Sequence, residues 1–274
     1  MNHLLRDVAP ITATGWKAID DEARERLQTH LAARQLVDVE GPHGWDHSAI
    51  DLGRVHALAS SPLESPEKGV KTRQRQVLPL SEVRVSFTVS RAELENAERG
   101  AQDLEFDDLD RAARQIALIE NRAVYHGWAD AGMTGIAEAS PYEATTLGGD
   151  AAGYPGVVAK AVDTLRQAGI GGPYALAICP EGYTKIVEST EHGGQLVFDH
   201  VRRALGNGKV VRTPGLDGAA VVSLGGGDFV LELGQDLSVG YSHHDAETVT
   251  LYLEESFAFR VNEPDAAIAL TFTG

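Results

Sequence analysis

The chain has one cysteine in 274 residues, Cys179, and its richest apolar segments, 219–224 and 266–272, are no longer than a strand. A single cysteine excludes a disulfide within the chain. A membrane helix needs ~18 or more consecutive apolar residues, and no window approaches that. The opening MNHLLRDVAPIT has neither a basic leader nor an apolar stretch, and Asp7 interrupts what little hydrophobicity it has. A cytoplasmic protein with no membrane partner is therefore expected.

Basic residues are also scarce. Lys and Arg number 24 against 40 Asp and Glu, which leaves a formal charge of -16. Proteins that grip a phosphate backbone carry the opposite surplus, because their cations displace condensed counterions, so no nucleic-acid partner is expected. Phosphate-binding loops are missing too: Gly206, Gly208 and Lys209 lack the required spacing, and Gly225, Gly226 and Gly227 precede a strand where a phosphate cradle should open a helix. No serine or cysteine sits in a triad context, and no internal repeat or low-complexity tract is present. What remains, 43% hydrophobic and 23% charged residues, is globular composition sufficient for one large domain or two small ones.

Periodicity supplies the elements. Trp16, Ile19, Ala23, Leu27 and Leu31 recur every three or four residues, which predicts an amphipathic helix from Thr14 to about Arg34. Turn residues follow, and the polar stretch 60–70, with Pro62 and Pro66, marks 45–76 as an extended excursion. Val83, Val85, Phe87 and Val89 alternate with polar residues, as a strand with one buried face does. Leu109, Ala113, Ile116, Ala117, Ala123 and Val124 predict the longest helix over 107–128, with Asp107, Asp108 and Asp110 favouring its start. A helix from Pro155 to Gly169, a buried strand at 174–179 and helices at 180–189 and 195–205 come next. The tail reads as strands at 219–224, 228–233, 237–242, 247–254, 256–262 and 266–273. Helices and strands are segregated more than alternated, so the fold class is α+β.

Few of these residues point to chemistry. His43, Asp46 and His47 fall within five residues of a turn-rich loop, and imidazole beside carboxylate is the raw material of a metalloenzyme site, although a solvated loop explains the same residues. His243, His244 and Asp245 form a second such group at a turn. Cys179 precedes Pro180 without a local base, which suits a small core residue better than a nucleophile. From the residues alone, no catalytic or metal-binding residue is assigned and no enzyme is expected.

Longer blocks carry a resemblance. LLRDVAP at 4–10, VDVEGPHGW at 37–45, FTVSRAELENAERG at 87–100, GPYAL at 172–176, GGDFVLELGQDLSVGY at 226–241 and LYLEESFAFRV at 251–261 occur in the order and spacing of the encapsulins, the shell proteins of bacterial and archaeal nanocompartments. The chain resembles a type 1 encapsulin over essentially its whole length. That resemblance implies the Hong Kong 97 phage capsid fold: a peripheral domain from 1–44, 77–131 and 223–274, an extended loop at 45–76, and an axial domain at 132–222. It further implies a structural protein that closes into an icosahedral shell of about sixty copies by symmetry, loaded with a dye-decolorising peroxidase or a ferritin-like iron oxidase through a C-terminal targeting peptide.

By the same resemblance, Leu27, Arg34, Asp38, Asp236, Leu237, Ser238 and Val239 would form the groove for that peptide, with Leu27, Leu237 and Val239 taking apolar side chains and Arg34, Asp38 and Asp236 taking polar groups. Arg34 and Asp38, four apart, could instead simply pair with each other. Glu188, Glu191 and His192 are placed near a pore at the five-fold axis. Some encapsulins bind flavin against a tryptophan where this sequence has Ala92, so no flavin or other cofactor is expected. The alternative is a prophage-derived capsid protein that packages DNA, which the negative charge opposes.

Overall fold

The computed structural model describes residues 3–63, 69–190 and 194–272. Thr12 opens the first helix, α1 (Ala13–His30), by accepting a hydrogen bond from Gly15 N–H, and Trp16, Ile19, Ala23 and Leu27 form its buried stripe. The helix stops four residues before the expected end at Arg34. The reason is Asn121, whose side-chain oxygen takes the N–H of Ala33 at 2.9 Å and holds 33–35 in a separate 3-10 turn. Strand β1 (Asp38–Glu40) follows. The excursion then proves to be an antiparallel hairpin of β2 (Ala49–Ala57) and β3 (Arg73–Pro79), which among the described residues pair only with each other.

Strand β4 (Ser81–Ser90) runs into a short helix, α2 (Arg91–Glu98), that periodicity did not single out, with Ser90 as its cap. Helix α3 (Asp107–His126) starts on three aspartates, as expected, and lays Leu109, Ala112, Ala113, Ile116, Ala117, Ala123 and Val124 inward. The alanines on this face let it lie close against α1, β4 and the sheet.

Four helices and four strands follow: α4 (Ile136–Ala139), β5 (Thr145–Leu147), α5 (Tyr154–Gln167), β6 (Tyr174–Ile178), α6 (Pro180–Glu188), α7 (Val197–Ala204), β7 (Val210–Arg212) and β8 (Ala219–Ser223). The chain closes with β9 (Phe229–Leu233), β10 (Ser238–His244), β11 (Thr248–Val261) and β12 (Ala267–Phe272). In the first sheet β11 is the hub. Its residues 248–257 pair with β4 on one side, while the other side pairs first with β10 and then with β9, which in turn pairs with β1.

Two expectations fail here. The predicted break in the tail near residue 255 is absent, and β11 runs unbroken through Glu254, Glu255 and Ser256. These polar residues look like a turn in sequence, yet each is buried and partnered: Glu254 by Arg84 at 2.7 Å, Glu255 by Arg34, and the Ser256 hydroxyl by Gln235 N–H. The second failure is β12. Expected with the peripheral strands of 223–274, it joins the second sheet, β5-β12-β8-β6-β7. There Ile268 and Leu270 complete the core beneath α5, α6 and α7 while Ala267 faces the opposite core, and the matching edge of β11 is already filled by β4. The second sheet thus sends Leu176, Ile178 and Val221 to one core and Ala175, Ala177 and Ala220 to the other.

Asn121 is the fastener between these parts. Fully buried, it also donates to the carbonyls of His30 and Pro214 at 2.9 and 3.0 Å, joining α1, α3 and the loop before β8. Asn121→Ala strands a buried N–H and two carbonyls, so it is expected to cost about 2–4 kcal/mol and to lower the calorimetric unfolding midpoint. An unchanged midpoint would show that these bonds contribute nothing.

Candidate functional site

A groove of about 700 Å3 runs between α1 and the turn that joins β9 to β10. Six of the seven expected groove residues line it: Leu27, Arg34, Asp236, Leu237, Ser238 and Val239. Ala23, Leu27, Val239 and Leu253 form a buried apolar floor, Leu31 and Leu237 stand half-exposed above it, and Arg6 and Asp20 pair at the rim at 2.7 Å. Strand β10 is an edge of its sheet. Tyr241 N–H points outward to the Leu4 carbonyl at 2.8 Å, so by strand alternation Val239, two residues earlier, aims its own N–H toward the same outer edge.

The polar members of the groove are committed inward. Ser238 donates to the Asp236 carbonyl and accepts from the Gln235 amide, which locks the turn. Arg34 is spread over three acids: Glu120 of α3 at 2.8 Å, Asp236 at 2.8 Å and Glu255 of β11 at 3.2 Å. Burial works against its charge, but the bonds and charges of Glu120, Asp236 and Glu255 outweigh burial and hold its pKa above the ordinary arginine value. Glu255 behaves in the opposite way. Complete burial, reinforced by the charge of Glu120, keeps its carboxyl protonated well above the usual glutamate range despite the pull of Arg34. The sequence pattern indicated none of these acids as partners of Arg34.

The family described as "Encapsulating protein for peroxidase" matches residues 1–258. A type 1 encapsulin shell protein of Rhodospirillum rubrum is 49% identical over 271 residues, 98% of this chain and 96% of its own length. The chain belongs to the encapsulin shell-protein family. A second type 1 shell protein, from Mycolicibacterium paratuberculosis, is 41% identical over 99% of this chain and 100% of its own. Solved structures agree on the fold: the virus-like particle of Pyrococcus furiosus superposes with a TM-score of 0.61 at 13% identity, covering 92% of this chain and 97% of that one. The Mycobacterium phage Adephagia protein gives 0.56 at 16%, covering 89% and 90%. The fold is the Hong Kong 97 capsid fold, and the chain is a structural shell protein.

In this encapsulin shell chain, Asp38 does not reach the groove. Its carboxylate accepts the N–H of Gly227, so it fastens the turn before β9 and lines a separate cavity of about 220 Å3 beside Ser223 and Asp228; it does not pair with Arg34. Glu188 is exposed at the end of α6, where Thr190 and Leu196 bridge the base of a loop. Glu191 and His192 lie outside the described residues. Ala92 is exposed in the first turn of α2. Cys179 caps α6, its sulfur accepting Gly182 N–H at 3.4 Å.

The two histidine groups diverge. Asp245 accepts N–H bonds from Glu247 and Thr248, which pull its pKa down, and His244 bonds the Tyr241 hydroxyl, so that group is a capped hairpin turn. His43 and His47 instead converge on Glu232 of β9, without Asp46.

Glu255 supplies a test of the buried acids. Because it holds its proton more tightly folded than unfolded, the native state binds more protons across that interval, and stability falls as pH rises through it. Glu255→Gln removes this loss while keeping an oxygen for Arg34. The thermal midpoint of the variant is expected to gain on the parent as pH rises above the ordinary glutamate range, and a difference that stays constant with pH would rule the assignment out.

Proposed function

We propose that copies of this chain close into a shell of about sixty subunits in the cytoplasm, and that cargo is held inside by a peptide lying in the groove between α1 and β10. In this reading the first sheet with α1 and α3 is the peripheral domain, the second sheet with α5, α6 and α7 is the axial domain, and the hairpin is the extended loop. The observation that carries the cargo reading is the apolar floor of Leu27, Val239 and Leu253 beside an outward-facing strand edge. An extended peptide adds to such an edge by main-chain bonds and drops alternate apolar side chains into the floor. A dye-decolorising peroxidase or ferritin-like iron oxidase is the proposed cargo class, and the family description's mention of peroxidase supports the former. Glu188, on its exposed turn, is proposed to contribute negative charge beside an opening at the five-fold axis. A DNA-filled capsid is disfavoured by the charge of -16 per chain.

The hairpin supports self-assembly. Val55, Leu63 and Val77 are 52%, 63% and 51% exposed on an arm whose buried side chains, among the described residues, are Ile50 and Leu78 at its root. Apolar side chains in that state are a surface for another copy. Val55→Asp with Val77→Asp is expected to shift the sedimentation profile from closed shells toward small oligomers while the subunit remains helical by circular dichroism. A profile identical to the parent would show that the arm is not an assembly contact.

Groove binding is tested without touching the Arg34 network. Leu237→Asp places a charge on a half-exposed groove position, and loading of a fluorescent reporter fused to the native cargo's C-terminal segment is expected to fall by about tenfold or more, ~1.4 kcal/mol, in shells of normal size by electron microscopy. Undiminished loading would place the cargo site elsewhere.

A further inference from the structure

The loop at the root of the hairpin brings two histidines, His43 and His47, to a glutamate of β9. His47 Nε2 lies 2.8 Å and His43 Nε2 3.7 Å from the same oxygen, Oε1 of Glu232, and the three atoms fall within 4.8 Å of one another. One carboxylate oxygen is therefore the polar focus of two imidazoles, and the second ring stands beyond hydrogen-bond length. The two ring centroids lie 4.7 Å apart with their planes tilted by 46°.

The backbone that presents these groups is held independently of them. His43 N–H donates to the Leu233 carbonyl at 3.0 Å, and Gly44 N–H to the Gly234 carbonyl at 2.9 Å, so the loop is stitched onto the end of β9 directly beside Glu232. Gly41 makes the approach possible: its φ is +108°, and a Cβ there would stand 2.4 Å from the Leu233 carbonyl oxygen. Glu232 is buried, with its strand paired on both sides. Two nitrogen donors and one oxygen donor thus project from a fixed frame.

We propose that His43, His47 and Glu232 bind a divalent transition-metal ion of the zinc class. Two imidazoles and one carboxylate are a recurrent zinc donor set, with metal–ligand distances of about 2.0–2.2 Å. In tetrahedral geometry these put neighbouring ligand atoms ~3.4 Å apart. Two of the three observed separations, 2.8 and 3.7 Å, bracket that value and all three atoms lie within 4.8 Å of one another, close enough for side-chain rotation to bring them onto one ion. Three protein ligands leave one position for water. The ion links residues 43–47 to the first sheet two residues before β2 begins at Ala49, and so braces the direction in which the arm leaves the body.

The test uses full-length assembled protein, stripped with chelator and titrated with zinc chloride by calorimetry. The parent is expected to bind one more zinc ion per chain than the His43→Ala, His47→Ala double variant, and zinc is expected to raise the thermal midpoint of the parent only. Since His43 is 42% exposed, His43→Ala alone keeps the fold. It is expected to weaken this site by more than the roughly tenfold that loss of even an outer partner costs. Glu232→Gln, an isosteric change, should do the same. Equal stoichiometry in parent and double variant, or no zinc uptake by the parent, overturns the proposal, whichever way cargo loading behaves.

Discussion

A single, partly buried guanidinium organises the centre of this subunit. Arg34 connects Glu120 of α3, Glu255 of β11 and Asp236 in the β9–β10 turn, which are far apart in sequence. Glu120 and Glu255 are both fully buried, and uncompensated charges there would be prohibitively costly. One cation cannot neutralise two interior carboxylates and Asp236 together, so the balance is met by keeping a proton on Glu255. The groove follows from this. The turn bearing Leu237 and Val239 is anchored through Asp236, and Asp236 is anchored through Arg34, so the groove wall is tied to the charge balance of the core. Removing Arg34 would strand the buried acids, which makes it a structural strut more than a docking group.

The arm obeys the opposite constraint. An isolated two-stranded hairpin is marginal in water, and β2 and β3 bury only Ile50 and Leu78, near the body. Everything beyond must be stabilised by another molecule or by a fixed root. The stitching of Gly41 to Gly44 along the end of β9 supplies that root, since it sets where the arm leaves without relying on contacts along its length. Tertiary packing and assembly are thereby separated into different stretches of one chain.

How much of this was readable in advance depended on whether one face of an element decides its pattern. Helices α1, α3 and α5 and strand β4 follow periodicity, because each has one buried and one solvated side. Strand β11 does not: it is buried on both faces, and its polar residues are paired by Arg84, Arg34 and Gln235, contacts more than twenty residues distant or across the sheet. Periodicity cannot see such compensation, so it suggested a break. Strand β12 had a legible strand pattern but an illegible address, because its alternation fits either sheet. Family resemblance named seven residues, six of which the fold brings around one groove, yet it gave the polar ones outward roles, while the partners of Arg34, Glu120 and Glu255, belong to a helix and a strand whose neighbours only the fold reveals. His43 and His47 were visible as a pair, but Glu232, at 185 residues from His47, was not.

The inward commitment of the polar groove residues limits what the groove can recognise. With Arg34, Asp236 and Ser238 engaged by their own neighbours, a chain lying there as proposed would meet an apolar floor, a strand edge and a charged rim. Such a surface reads apolar spacing and main-chain extension more than charge, and a short peptide gains little from each contact after paying for its own ordering. Weak binding at one groove is nonetheless compatible with firm retention. A closed shell presents the groove once per subunit, and an oligomeric cargo with several tails would convert each further contact into an intramolecular one at high effective concentration. In a shell of this kind selectivity need not reside in any single site, since multiplicity of copies and enclosure do what the affinity of one groove does not.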